Sequence, residues 1–349
     1  MKIQTILFFS RLFHPHIGGV EKHVWEVSRN LIKKGHKIIV ITEKFETDLK
    51  LKEKVGGIEV YRIPAGKSNW VKKFTIWKWF WKHRKLIEEA DIVHCHDVFF
   101  WYFPFRFLFP KKRVYTTFHG YESYPISKKA IFVRRLSEEL SFGAICIGGF
   151  MEKWYDAKPT FVTYGGVRFG NSKFEIRNSK KGAVFVGRLD EQTGIKTYIE
   201  AVKIIKKKIP EFEFLVVGDG KFRQDIEKDV RVLGFKKNPY KYFHEYRFAF
   251  ASRYLSILEA MAARRLVFAL YDNPLKRDYL KMTPFAKFIT IVSSKKELAD
   301  KALYFLKNPR KENEMIEKAF EWVKTQSWNN VSRLYLALWE RSVDRNLAY

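Results

Sequence analysis

The chain has 349 residues, 46% of them hydrophobic, enough for the cores of about two ordinary domains and too many for an intrinsically disordered protein. Its 66 Lys and Arg face 38 Asp and Glu, a formal charge of +28 that points to anionic partners; residues 1–165 carry 29 basic and 16 acidic groups and the rest 37 and 22, so the excess is not a detachable tail. Two cysteines, Cys95 and Cys146, exclude a disulfide scaffold and fit a reducing cytoplasm.

In chain order, apolar runs predict strands near 5–9, 37–42, 58–63, 92–95, 114–118 and 144–148, with helical patterns between most of them. The first run reads as a strand rather than a signal core, because Arg11, His14 and His16 follow it without a small-residue cleavage site. Residues 98–110, interrupted by Pro104 and Arg106, fall short of the roughly 18–20 residues of a spanning helix. Tyr164, Gly165 and Gly166 close one unit, and the polar stretch 171–181 reads as an interdomain connection. Beyond it, strands are expected near 183–186, 213–217, 248–251, 266–270 and 288–291, with helices over 195–208 and 222–232. The alternation predicts an α/β protein with two doubly wound parallel sheets, whose ligands lie at the carboxyl ends of the strands.

Three loops carry candidate chemistry. Gly18 and Gly19 follow the first strand and open a helix marked by Val20, Val24, Val27 and Leu31; this is either a close-approach site for a phosphate or hydroxyl-rich group, or a tight turn. Gly187 and Arg188 follow the first strand of the second half, where a guanidinium can hold diphosphate oxygens bidentately or simply join a surface ion pair. In ASRYLSILEAMA, Glu259 stands in an otherwise small or apolar helix; a buried carboxylate there needs a partner, either ribose hydroxyls or a neighbouring backbone.

Taken together, HPHIGGVEKHVWEVSRNLIKKGHKIIVIT, ADIVHCHD, TTFHGYE, AVFVGRLDEQTGIKTYIEAVKII, FLVVGDGKFRQDIEK and LEAMAARRLVFAL, ending in QSWNNVSRLYLALWE, resemble in order the retaining nucleotide-sugar glycosyltransferases of the GT-B fold, family 4 or glycosyl transferases group 1. The resemblance implies two Rossmann-like domains facing a cleft: an acceptor-side domain over 1–168, a donor domain over 169–325, and a crossover helix over 326–349 that returns to the first domain. It implies transfer of a sugar from a nucleotide diphosphate donor, a substrate rather than a cofactor, to a saccharide or lipid-linked acceptor, with retained configuration and no metal. Gly18, Gly19, Gly187, Arg188, Leu255 and Glu259 are then donor-binding, and His119 is the active-site histidine.

Two departures bear on activity. Thr193 stands where the family has a lysine before the glycine of the GR loop, leaving that cation to Lys196 or another basic side chain, and Ala251 stands eight positions before Glu259 where the family has a second glutamate. A noncatalytic saccharide-binding homologue is therefore an alternative. A basic nucleic-acid-binding protein is a weaker one, since no nucleic-acid module is recognised and the charge is spread over both halves. In the HCHD group, strand alternation sets His94 and His96 on one face and Cys95 on the other, which favours packing over metal ligation.

Between Glu59 and Glu88 lie eight Lys or Arg and no acid, with Trp70, Phe74, Trp77 and Trp81 at helical spacing. This pattern, with Phe99–Phe103 and Lys111, Lys112 and Arg113 as a second contact, suggests peripheral association with an anionic membrane face, or else aromatics packed beneath the first sheet.

Overall fold

The computed structural model describes residues 3–66, 69–169, 180–236 and 238–345. They form two compact units: unit 1 comprises Met1–Thr163 and Trp328–Tyr349, and unit 2 comprises Tyr164–Ser327. Of the expected connection 171–181, residues 171–179 lie outside the described residues, whereas Lys180 and Lys181 already belong to a strand.

Unit 1 carries strands β1 (Thr5–Ser10), β2 (Lys37–Glu43), β3 (Lys52–Val55), β4 (Ile58–Ile63), β5 (Ile92–His96), β6 (Val114–Phe118), β7 (Ala144–Ile147) and β8 (Phe161–Thr163). Between them run α1 (Gly19–Lys33), α2 (Asn69–Lys82), α3 (Lys85–Glu89), α4 (Phe99–Leu108), α5 (Lys128–Glu139) and α6 (Phe150–Tyr155). The sheet order is β3-β4-β2-β1-β5-β6-β7-β8, parallel except for the β3–β4 hairpin. That hairpin was not anticipated. Its turn needs Gly56 and Gly57, which take φ of 58° and 87° where a side chain is disfavoured.

Strand alternation divides the first sheet into two faces. Leu7, Phe9, Ile39, Ile41, Val93 and Cys95 enter an apolar core with Ile76 and Phe80 of α2 and Trp101 and Tyr102 of α4. On the other face Phe8 meets His94 and His96. The apolar stripe of α1 buries Val24, Val27 and Leu31 completely, each stabilising the unit by about 1.5–3 kcal/mol.

Unit 2 carries β9 (Lys180–Val186), β10 (Glu213–Val217), β11 (Arg231–Val232), β12 (Tyr246–Phe250), β13 (Leu266–Leu270) and β14 (Thr290–Val292) in the parallel order β11-β10-β9-β12-β13-β14. Its helices are α7 (Ile195–Lys206), α8 (Arg223–Ile226), α9 (Tyr240–Glu245), α10 (Tyr254–Ala262), α11 (Pro274–Lys281), α12 (Lys295–Lys307) and α13 (Pro309–Val323). The helix expected over 222–232 is a correction: it shrinks to the single turn α8. Arg231 and Val232 instead pair with Leu215 and Val216, because ladder bonds to the sheet edge outweigh the local helical pattern. The strand expected near 288–291 starts two residues later, after the 3₁₀ turn Ala286–Phe288.

The last helix, α14 (Trp328–Arg345), belongs to unit 1 although unit 2 precedes it in the chain. It packs on α1. Buried Tyr335 and Trp339 lie against Phe8, and the Trp339 carbonyl accepts from the Arg113 guanidinium.

In unit 2 the loops after β9 and β10 touch backbone to backbone. A Cβ on Gly218 would stand 1.8 Å from the Gly187 oxygen, and one on Gly220 would stand 2.7 Å from the Leu189 oxygen. The Gly187 and Leu189 amides donate to the Val217 and Asp219 carbonyls across this seam. Gly218→Ala should therefore cost at least ~3 kcal/mol in urea unfolding followed by circular dichroism. Gly66→Ala, whose added methyl meets nothing within 4 Å among the described residues, should cost about 1 kcal/mol from its positive φ alone.

Candidate functional site

In unit 1, Gly18 caps α1 in an extended conformation and Gly19 is the first helical residue. The Glu21 carboxylate folds back here: its Oε2 is 2.3 Å from where a Gly18 Cβ would stand, and its Oε1 pairs with His16 Nδ1 at 2.8 Å. A helix start that carries an acidic side chain in its first turn already has its dipole complemented.

Around the ends of β5 and β6 sits a group of imidazoles, and hydrogen-bond chemistry assigns their protons. The Trp339 indole N–H only donates, so His94 Nδ1, 3.2 Å away, accepts. A neutral His94 then carries its proton on Nε2 and gives it to Thr117 Oγ1 at 2.7 Å. Thr117 passes its own hydrogen to the Tyr335 hydroxyl at 3.0 Å, and Tyr335 donates to His23 Nε2 at 2.9 Å. The proton of neutral His23 is thereby placed on Nδ1. Burial enforces the neutral forms: it holds His23 down to about 3 and, with help from neighbouring imidazoles, keeps His94 far below the ordinary histidine range.

His119 lies next to this chain, just beyond β6 and half-buried. Its Nε2 meets His96 Nδ1 at 2.9 Å, its ring packs edge-on to His23 at 4.8 Å, and its backbone N–H donates to Asp97 Oδ1 at 2.9 Å. Burial, then the neighbouring histidines and Arg134, lower His119 well below the usual range, so it acts as a neutral hydrogen-bonding group. Asp97 takes a φ of 60° to point at that amide. Crowding by surrounding protein pushes its carboxyl up to about 6 although the residue reaches solvent, against the opposing pull of Arg134 and of the His119 amide.

His94 and His96 do share a face, with centroids 5.1 Å apart, while Cys95 enters the opposite core. Burial raises both thiols, Cys95 and Cys146, leaving them protonated. Among the described residues no three His, Cys, Asp or Glu side chains are arranged to hold a metal ion.

In unit 2, Gly187 and Arg188 follow β9 against the Gly218 loop, and the Arg188 side chain is 61% exposed with its Nε 3.4 Å from Asp190. Glu259 differs from the expectation of a buried carboxylate: it is only partly buried. With Leu255 and Ser256 it forms the less buried face of α10, while Ile257, Leu258, Ala260 and Met261 point to the core. Ala251 is buried just after β12. Thr193 is buried too, its Oγ1 2.9 Å from the Arg188 carbonyl and 2.8 Å from that of Asp190, so it closes the loop rather than facing a ligand. Lys196 does not turn toward Arg188; it pairs with Asp225 at 3.0 Å and covers the Phe222 ring.

Reading the sequence missed Lys276, which is 2% exposed beside this loop, and Arg253, whose guanidinium bonds Gln192 Oε1. Arg253 is signalled only as a basic residue just after a strand, and Lys276, within α11, carries no local signal. It also missed His23 and Tyr335, which helical spacing alone files with the buried faces of α1 and α14.

Comparisons with known proteins agree with this architecture. A family model described as Glycosyltransferase Family 4 matches residues 17–153, and one described as Glycosyl transferases group 1 matches residues 170–322. One of the subunits of the human phosphatidylinositol N-acetylglucosaminyltransferase is 33% identical over 63 residues, which is 18% of this chain and 13% of that protein's length. Among solved structures, a sucrose-phosphate synthase from Thermosynechococcus elongatus superposes with a TM-score of 0.78 at 16% identity, covering 98% of this chain and 100% of that one. Anabaena HepE in complex with UDP and glucose gives a TM-score of 0.68 at 14% identity, covering 96% and 98%.

The neutral imidazoles make stability acid-sensitive with a defined sign. His23 titrates near 6.5 when unfolded and near 3 when folded, so its contribution is complete above pH 6.5 and is lost as pH falls toward 3. Asp97, raised from 3.8 to about 6, opposes this over pH 4–6, but one carboxyl is outnumbered by the imidazoles. Thermal unfolding should show lower stability at pH 5 than at pH 7, and His23→Gln should remove up to about 1.4 kcal/mol per pH unit of that slope. Equal slopes in the two proteins would rule out a buried neutral His23.

Proposed function

Because the chain belongs to the family 4 and group 1 glycosyltransferases of the GT-B fold, we propose that it moves a sugar from a nucleotide diphosphate donor to a saccharide or lipid-linked acceptor with retained anomeric configuration. The observation that carries this reading is Arg188, exposed at the carboxyl end of β9 on a loop whose backbone is fixed by its seam with the Gly218 loop.

In the transfer, the bond from the anomeric carbon to the diphosphate breaks with its electron pair going to the phosphate oxygen. A bond to the acceptor oxygen forms, and the acceptor hydroxyl passes its proton to the oxygen of the departing diphosphate. Arg188 neutralises the charge that grows on the departing diphosphate, where a preorganised cation acts most strongly. Gly187 brings the backbone close to the donor, and Leu255 and Glu259 offer an apolar and a carboxylate contact on one face of α10, the carboxylate accepting from ribose hydroxyls. In unit 1, Gly18 and Gly19 serve the donor phosphates or the acceptor, and neutral His119 hydrogen-bonds the sugar. No metal is part of this reading.

The lipid-linked alternative for the acceptor draws support from the name of the human relative and from α2. That helix exposes Val71, Phe74 (63%) and Trp81 (56%) together with Lys73, Lys78 and Lys82. Trp77 instead donates to the Phe100 carbonyl, and the Trp70 side chain lies outside the described residues. Of the expected second contact, Phe100 and Phe103 are partly buried and Lys111 is exposed. Phe99, Trp101 and Tyr102 are buried, and Lys112 and Arg113 are spent on backbone carbonyls. No helix among the described residues is long and apolar enough to cross a membrane. A peripheral enzyme on the cytoplasmic, anionic face of a membrane is the corresponding proposal, with no nucleic acid as partner.

The buried Ala251 and the inward-turned Thr193 favour a second reading, a noncatalytic saccharide-binding homologue.

A thermal-shift screen with nucleotide sugars in EDTA should raise the melting temperature, and Arg188→Ala should abolish the shift; no shift with any donor would refute the donor assignment. His119→Ala should lower turnover at least tenfold with little change in donor affinity, whereas absence of turnover in the wild type would favour the noncatalytic reading. Phe74→Ser combined with Trp81→Ser should release the protein from anionic vesicles in sedimentation, and unchanged binding would remove α2 as the contact.

A further inference from the structure

The loop after β9 and the loop after β12 lie side by side, since β9 and β12 are neighbours in the sheet of unit 2. Lys276, from α11, ties them together: its Nζ donates to the Gln192 carbonyl at 3.3 Å and to the Ser252 carbonyl. It is 2% exposed and, among the described residues, no carboxylate reaches it within ion-pair distance. Burying such a charge without a counter-charge is costly.

The surroundings add to the excess. Arg253, the residue before α10, donates from its guanidinium to Gln192 Oε1 and lies over the Tyr279 ring at 5.8 Å, while Lys276 lies over the same ring at 4.6 Å. Tyr279 is itself stacked on Tyr254 at 4.0 Å, which makes a rigid floor for both cations. Burial, then repulsion from Arg253, pushes the Lys276 amine well below the ordinary lysine range, with Asp272 and Asp190 pulling the other way and Arg188 adding to the repulsion. Two guanidiniums, Arg188 and Arg253, thus border a buried lysine at the ligand-bearing ends of two adjacent strands, with Asp190 paired to Arg188.

We propose that Arg253, held by Gln192 and by the loop bridge that Lys276 makes, is a second cationic ligand for a diphosphate beside Arg188. It takes over the charge that Thr193, turned into its own loop, does not supply. The inference rests on the donor reading for the identity of the diphosphate, and on the charge cluster alone for its capacity to bind one. Arg253 is the ligand and Lys276 the positioning residue.

Calorimetric titration with inorganic pyrophosphate, UDP and uridine, at fixed low salt, tests this. Arg253→Gln should weaken pyrophosphate and UDP about tenfold or more and leave uridine unchanged. Lys276→Met should weaken both anions similarly, with folding checked by its melting temperature, and Lys196→Gln, a charge loss outside the cluster, should change neither by more than about twofold. Arg253 is partly exposed, so the Arg253→Gln result decides even where Lys276→Met is unstable. Pyrophosphate affinity that is absent in the wild type, or equal in wild type and Arg253→Gln, overturns the proposal. Pyrophosphate binding that depends on Arg253 upholds it even if no nucleotide sugar binds, an outcome that would count against the donor reading alone.

Discussion

A buried imidazole that has to stay neutral is the constraint around which unit 1 is organised. Once the indole of Trp339 donates to His94, every later hydrogen in the series through Thr117, Tyr335 and His23 has one direction available. Such a directed polar series specifies geometry more strictly than an apolar core, because reversing any member strands a buried donor. His119 sits at the rim of this arrangement, and its backbone is fixed by the unusual φ of Asp97. The candidate catalytic side chain is therefore held by buried groups on two strands and two helices.

Unit 2 solves a different problem with backbone rather than side chains. Gly187, Gly218 and Gly220 let two strand-end loops come into direct contact, which fixes the base from which Arg188 projects. Thr193 then uses its hydroxyl to close the loop on itself. A fixed loop and an exposed guanidinium form a useful combination: the loop sets the height of the cation, and the long side chain presents its planar fork to a ligand. The neighbouring Lys276 and Arg253 extend the same principle to the loop after β12.

Where the sequence carried a strong period, the fold was legible. The strands near 58–63, 114–118, 213–217 and 266–270 appear with the anticipated bounds because each is a short segment rich in β-branched, aromatic and other apolar residues. The short edge strands β3, β8 and β11 were not, since two to four residues carry too little pattern and owe their pairing to a neighbour already in place. The same distinction applies to the candidate sites. Gly187 and Arg188 stand out locally as a loop after a strand, whereas Lys276 is 88 positions away and Tyr335 meets His23 across 312 residues, contacts that no local window displays.

The placement of α14 has a consequence for biosynthesis. Chains emerge from the ribosome amino end first and their domains generally fold as they appear. Here the amino-terminal sheet would be long finished while His94 and Thr117 still waited for Trp339 and Tyr335, which are translated only after all of unit 2. The polar core of unit 1 therefore closes only once the whole of unit 2 has been made.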